Sequence, residues 1–513
     1  MKSKDFVRAA EGILEGPLAG NRGGAVDGLA PDGLAPDGLA PDGLAKDRFA
    51  AWTLTLALLF VLCADTLLGV VFRPYLDGGT GDTTAWDVLL LILGRGPERL
   101  PLDSWEPMMT AFNWLREHGP GNVYDAVFFT QHVKFQYPLT SLLVMEAMSV
   151  VGLLHLRVYA LLNLLLVLAT AGGMALLMRE LAERTGFDQA VRGGIGRWTL
   201  AALGAVATLC FYPVVKAFAV GQIQVWLNAA FVFATLFYLR DQRVLAGAML
   251  GASTLIKPQM SLFLVWALLR REWRFAIGWA AVVVPGFVTA CALYGFGASL
   301  HYLDVLSFLG QHGESYYSNQ TVNGLLHRLL HNGPNLMSNT NGDTEWRGSA
   351  FAPYHPLVHI ATLISGVAFV LFGLLWRIRD GAGGRASGWA GRRETGRQPI
   401  ASFLAAGTCF TIGTPIAWVP HYGVLLPVCA YLLFVLIDRA ASKRSTEDRR
   451  QSLGTLLLLG IAFAILSNDF FHPLSELADT SYNILQSYLF FTALLLLRLL
   501  VTTADGPRAT RPS

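Results

Sequence analysis

The sequence predicts an all-α polytopic membrane protein of about 12 transmembrane helices with two large outward-facing loops. Three observations carry that expectation. Apolar stretches of about twenty residues recur from Phe49 to Val501, each long enough at 1.5 Å per residue to match a hydrocarbon core of roughly 30 Å. Of the 513 residues, 53% are hydrophobic and 15% charged, and mean hydropathy is +0.45, whereas a soluble domain is about 25% charged. Two long polar segments, residues 73–136 and 299–354, interrupt the apolar series and are rich in Trp, Tyr, His and carboxylates. Chemistry at the membrane surface belongs in those loops or at the helix ends facing them.

Residues 1–48 hold no apolar run, and Asp27 to Pro41 is the pentapeptide DGLAP three times over, continuing as DGLAK. So short a Gly/Pro/Asp repeat cannot bury a core, which predicts a disordered cytoplasmic tail. Apolar windows then place spans near 50–72, 137–154, 156–178, 198–216, 223–239, 244–269, 275–298, 355–376, 399–418, 421–437, 452–467 and 483–500. With the tail inside, the basic segments at 270–274, 377–397 and 439–450 and the C-terminal tail, 502–513, fall on the cytoplasmic side, as positive-inside sorting requires. Both large loops face outward. Residues 179–197 resist this order, because the same count places Arg179, Arg184, Arg192 and Arg197 outside.

The net charge of +3 is small, and basic residues are spread over short loops, which argues against nucleic acid as a partner. Cys63, Cys210, Cys291, Cys409 and Cys429 all lie in apolar spans without CxxC spacing, as expected of small core residues rather than disulfides or a zinc site. The second half does not repeat the first, unlike many transporters.

Several polar residues stand out against this background. Asp103 precedes a segment of helical periodicity, Met109, Phe112, Trp114 and Leu115, so it is either an N-cap or a functional acid. Asp77, Asp82 and Asp87 compete with it. Tyr137 and Pro138 open the second span, the proline at a first-turn position that needs no amide partner. Gln222 lies in GQIQ between two short spans, and Lys257-Pro258 interrupts another. An unpaired lysine at membrane depth is costly, so Lys257 should face a polar cavity, a phosphate or a carboxylate. The stretch Gly310 to Arg328 reads GQHGESYYSNQTVNGLLHR and includes Asn319, a composition suited to polar recognition or to a solvated loop. Trp418 and His421 lie between two spans, where the histidine is an interface residue or a partner for an anionic headgroup.

The ordered series VYD, FQYPLTSLL, GQIQVWLNAAF, AGAMLGASTLIKPQ with RREWR, SYYSNQTVNGLLHRLL and IGTPIAWVPHYGVLLP resembles glycosyltransferase family 87 over about residues 50–440. That resemblance implies a GT-C-like fold and transfer of a sugar, most simply mannose, from a polyprenyl-phosphate donor to a glycan or glycolipid at the outer face of a bacterial plasma membrane. It implies inversion with Asp103 as the catalytic base and Asp82 as runner-up. Lys257, His421 and Arg328 would hold the donor phosphate, and Gln222, Tyr137, Asn319 and Trp418 would contact substrate. No Asp-x-Asp or carboxylate trio appears in either loop, so neither a metal nor another cofactor is expected. Two other classes compete: a polytopic lipid or glycan transporter with Lys257, Glu146 and Lys216 along its path, and a polysaccharide polymerase moving whole repeat units.

Overall fold

The computed structural model describes residues 41–71, 85, 102–187, 194–336, 350–378, 397–441 and 446–504, and every regular element among them is helical. The DGLAP repeats before residue 41, the C-terminal tail from 505, and Asp77, Asp82 and Asp87 lie outside the described residues. Helix α1, Pro41–Val71, begins within the expected tail, and the unit Ala45–Ser513 contains everything described after its first turn.

Among the described residues six helices are long and apolar enough to cross a membrane: Leu156–Arg184, Trp273–Tyr294, Pro356–Leu375, Val419–Ala441, Arg449–Leu466 and Ser481–Thr503. A pair bent by 53°, Gly196–Leu209 with Tyr212–Ala219, makes a seventh if it counts as one span. Their outward surfaces are apolar. Leu161, Leu165 and Leu168 on α4 (Leu156–Arg184) and Leu357, Ile360, Ile364 and Val367 on Pro356–Leu375 are exposed at helical spacing. Such stripes are unfavourable in water and suit lipid tails. The chain is a multi-pass membrane protein.

Two chemically distinct ends organise the helices. At the basic end, the Glu180 carboxylate accepts from Arg184 (2.8 Å) and from Arg240 (3.1 Å), which follows α7, Gln224–Leu239. Glu272 accepts from Tyr238 (3.1 Å) and lies 3.8 Å from Arg243, the first residue of α8, Arg243–Ile256. Beyond α9, Leu262–Leu269, Arg270 donates to the carbonyls of Leu374 (2.8 Å) and Trp376 (2.7 Å) at the end of α14, Pro356–Leu375. Asp241, Arg271 and Arg377 turn the chain there with φ of 59°, 57° and 56°.

The opposite end is built from the described parts of the two loops expected to face outward. Helix α2, Trp105–His118, buries Trp105, Met108, Phe112 and Leu115 along one stripe, and a π-helical turn follows at Tyr124–Thr130. The second loop supplies α11, Phe296–Leu300, α12, Tyr302–His312, and α13, Val322–Leu329. Tyr302 donates to the Gln136 carbonyl (3.2 Å), and Phe308 packs edge-on against Phe128 and Phe351, so the described parts of the two loops share an aromatic seam. From behind, Gln320 donates to the Gln486 carbonyl (2.7 Å) in the 3-10 segment Ser481–Ser487, which leads into α19, Tyr488–Ala504.

Two expected crossings differ from the sequence expectation. Residues 137–154 form a 3-10 turn, Leu139–Leu142, and α3, Leu143–Val150, which stay at the outer-loop end. Glu146 on α3 accepts from Arg116 of α2 and from Tyr294 (3.1 Å), the last residue of α10, Trp273–Tyr294. Twelve residues reach only about 18 Å, and buried Leu139, Leu142 and Met145 join the aromatic seam instead of crossing. One consequence is that α4 starts at the outer-loop end and delivers Arg179 and Arg184 to the basic end, which removes the conflict with positive-inside sorting.

The second difference is at 244–269. Arg243 and Glu272 are neighbours, and the Tyr238 ring touches both the Arg243 guanidinium (3.5 Å) and Trp266 (5.8 Å). The segment therefore starts and ends at the basic end, with its break at Lys257-Pro258 as the apex. Pro258 disfavours a helical Lys257, which is extended with φ −131° and ψ 108°. α8 leans on α10 through glycines: a Cβ on Gly247 would come within 2.0 Å of the Phe275 carbonyl oxygen, and one on Gly278 within 2.0 Å of that of Val244. The expected core cysteines also divide, since Cys210, Cys409 and Cys429 are buried but Cys63 is exposed and Cys291 half-buried on their apolar helices.

Candidate active site

Three strands of sequence meet at Asp103. Its amide donates to the Val220 carbonyl (3.1 Å) at the end of α6, Tyr212–Ala219, and the turn beyond places Gln222, because Gly221 takes φ 66°. Gln222 Nε2 then donates to Asp103 Oδ2 (2.6 Å). Asp103 is not the N-cap of α2; Ser104 holds that position. The Ser104 hydroxyl pairs with the Tyr137 hydroxyl (2.8 Å) and accepts from the Ile223 amide (3.1 Å). Trp105 stacks on Tyr159 at 4.2 Å, so backbone and neighbours hold Asp103 rigidly.

Asp103 keeps accessible surface although protein encloses it, as expected of a side chain lining a recess. Burial raises its pKa above the ordinary 3.8; the Gln222 hydrogen bond and the charges of Lys134 and Lys257 oppose that rise, and Glu314 reinforces it. Lys257, whose charge reaches Asp103, contacts His421 Nε2 through its ammonium. His421 Nδ1 faces the amide (3.1 Å) and carbonyl (3.2 Å) of Trp418, closing a turn before α16, Leu425–Ala441. The Trp418 carbonyl also accepts from the His421 amide (2.9 Å), and Nε2 is the ring nitrogen left to face Lys257. Lys257 thus presents positive charge close enough to influence Asp103, yet no ion pair joins the two. Among the described residues no three His, Cys, Asp or Glu side chains converge to hold a metal ion.

A carboxylate and a lysine brought within electrostatic reach of each other beside an apolar helix bundle are a combination that known enzymes use. The family model for glycosyltransferase family 87 matches residues 135–393, just over half of the chain. The chain belongs to glycosyltransferase family 87. No curated protein and no solved structure matches it. As a family 87 glycosyltransferase it is a membrane enzyme that joins a sugar donor to an acceptor. The matched stretch contains Tyr137, Gln222, Lys257, Asn319 and Arg328, while Asp103, Trp418 and His421 lie outside it.

The fold of this family 87 enzyme brings together Asp103, Tyr137, Gln222, Lys257, Trp418 and His421. Asn319 and Arg328 sit behind them, the amide of Asn319 and both terminal nitrogens of Arg328 engaged by protein. Asn319 Nδ2 donates to the carbonyls of Glu314 (2.9 Å) and Pro415 (3.1 Å), and its Oδ1 accepts from the Ala417 amide (3.1 Å). Arg328, almost wholly buried, donates to the carbonyls of Tyr316 (3.1 Å) and Asn319 (3.0 Å) and to the Ser487 hydroxyl (2.6 Å). Both shape the loop that frames the recess. Residues 82 and 77, the competing acids of the first loop, are outside the described residues.

Sequence inspection missed Glu314 and Lys134. Glu314 is fully buried, ion-paired to Lys134 Nζ (2.8 Å), and accepts from Trp418 Nε1 (2.6 Å). A signal existed, since Glu314 is the one carboxylate between Gly310 and Arg328. Its partners lie 180 and 104 positions away, and no local pattern links them.

Proposed function

We propose that this family 87 enzyme transfers a mannosyl residue from a polyprenyl-phosphate donor to a glycan or glycolipid acceptor with inversion, using Asp103 as general base. Its fold is GT-C-like, and the basic end faces the cytoplasm of a bacterial plasma membrane. The observation that carries this reading is a carboxylate held by Gln222 and a lysine held by His421, near enough for the charge of one to act on the other. A transfer of this type needs a base on one side of the anomeric carbon and a cation on the other. The acceptor oxygen attacks that carbon while its proton passes to Asp103. The carbon–oxygen bond to phosphate breaks, and the electron pair leaves with the lipid phosphate. Lys257, oriented by His421, offsets the charge that develops there. The leaving group is already a phosphate, so charge stabilisation matters more than protonation.

Further support comes from the surroundings. Lys257 lies at the apex of a hairpin about 21 Å from Arg243 at 1.5 Å per residue, a depth suited to the phosphate of a lipid whose tail remains in the bilayer. Gln222 occupies one Asp103 oxygen and leaves the other toward the recess. Tyr137, through Ser104, fixes the Asp103 backbone. The test is transfer of labelled mannose from polyprenyl phosphate mannose by purified protein in nanodiscs. Wild type should form product, while Asp103→Asn and Lys257→Met should not; transfer by a folded Asp103→Asn variant removes Asp103 as base, and no transfer by wild type removes the donor.

A further inference from the structure

The Trp418 indole is held at both ends by groups with different tasks. Its main chain binds Nδ1 of His421, whose other nitrogen meets Lys257, and its ring N–H donates to the buried Glu314 carboxylate (2.6 Å). Glu314 is itself fixed. Lys134 closes an ion pair with it at 2.8 Å, and the Lys134 ammonium lies 4.3 Å from the Phe351 ring centroid. The Glu314 amide donates to Asn323 Oδ1 (3.2 Å). Gly313, just before it, has φ 61° and lies so close to Asn323 that a Cβ would come within 1.9 Å of that side chain. Tyr316 meets Trp418 edge-on at 5.9 Å, and both rings keep accessible surface while Glu314 has none.

A rigid indole beside an anion-binding pair has a specific use in sugar transfer. One face of a pyranose ring presents aliphatic C–H groups, which suit the negative face of an aromatic quadrupole, and clefts that bind polar ligands combine such rings with a few fixed polar groups. In a sugar phosphate the ring is one oxygen away from phosphorus. A ring whose own backbone contacts the phosphate-side histidine is therefore next to the place where the donor's sugar would lie. We infer that Trp418, flanked by Tyr316, is the platform for the donor's sugar ring, and that Glu314 is a positioning residue that sets the indole through its N–H. This rests on the lipid-phosphate donor reading and adds the element that distinguishes a sugar-bearing phosphate from a bare one.

The test compares thermal stabilisation of the detergent-purified protein by a short-chain prenyl phosphate mannose and by the same prenyl phosphate without sugar. Wild type should be stabilised by both and more by the sugar-bearing lipid. Glu314→Gln and Trp418→Phe should keep the response to bare phosphate and lose the sugar increment, and the double variant should lose no more than either single one, because both act through one hydrogen bond. Lys257→Met should lose both responses. A purely structural Glu314 would lower the melting temperature of the unliganded protein and leave the increment intact. Equal stabilisation of wild type by both lipids, or an increment that survives in Glu314→Gln and Trp418→Phe, overturns the platform while the lipid-phosphate donor stands; absence of any response in wild type overturns the donor and the platform together.

Discussion

Asp103 shows how one side chain can be exposed to a cavity and still be poorly solvated. Its carboxylate keeps accessible surface, but burial raises its pKa, and that makes it a stronger base than a surface aspartate. A general base must be ionised, so turnover should be lost as pH falls through an inflection above the ordinary 3.8 of a carboxylate; a pH–rate profile on the purified enzyme checks it. Stability should respond in the opposite sense. A raised native pKa means that the fold disfavours the ionised form, so this group's destabilising contribution is present at neutral pH and relieved on acidification. Asp103→Asn should therefore keep or raise the melting temperature while lowering transfer by about 100-fold or more, the scale of a lost general base. Arg328 is the contrasting residue. Its guanidinium is tied to two carbonyls and a hydroxyl, so Arg328→Met should lower stability by roughly 3 kcal/mol, as expected when buried acceptors of a charged donor lose their partner. A melting curve on the unliganded protein tests that, and an unchanged curve would return Arg328 to a role in phosphate binding. Local sequence pointed to Lys257 through the Lys-Pro break and to Gln222 through its polar turn, but gave Glu314 no special standing, because its meaning comes from Lys134 and Trp418 across the fold.

At the scale of the element, hydropathy identified where helices form better than where they go. Residues 137–154 and 244–269 are apolar and helical as expected, yet neither runs from one end to the other. Apolar content reports that a segment avoids water and is indifferent to whether lipid, an aromatic seam or a neighbouring helix replaces it. Direction is set by the contacts of charged ends, here Glu146 with Arg116 and Arg243 with Glu272. Single cysteines in place of Arg243 and Arg271, in a background without the native cysteines, should react with an impermeant maleimide from the same membrane face. A cysteine in place of exposed Asp304 on α12 should react from the other. Reaction of positions 243 and 271 from opposite faces would restore a full crossing. The glycine contacts between α8 and α10 give a second check. Gly278→Leu should strongly reduce the yield of folded protein, because the added side chain meets the Val244 backbone directly, whereas Gly454→Leu, at a position open on every side, should express like wild type.

At the scale of the unit Ala45–Ser513, an apolar bundle is joined to the described parts of two polar loops, and Asp103 and Lys257 lie where they meet. Membrane class and enzyme class were both legible from the sequence, the first from composition and the second from an ordered set of weak motifs that only together resemble a family. What remained hidden was the way distant segments share one polar network. The loop carrying Glu314, Tyr316 and Arg328 is fastened by the C-terminal part of the chain. Gln320 bonds both the Gln486 carbonyl (2.7 Å) and the Leu489 amide (3.2 Å), Arg328 reaches Ser487, and Asn483 returns a hydrogen bond to the Arg328 carbonyl (2.7 Å). Asp469, before that segment, accepts from Tyr212 (3.0 Å) on the helix leading to Gln222. Residues 467–489 thus act as a buckle: they close the strap that carries the indole's anchor. A chain cut after the family-matched stretch would retain Lys257 and Glu314 and still lack His421 and Trp418, which bond them, together with the fastening of the loop that carries Glu314, so the smallest working unit of this enzyme is larger than the part by which its family is known.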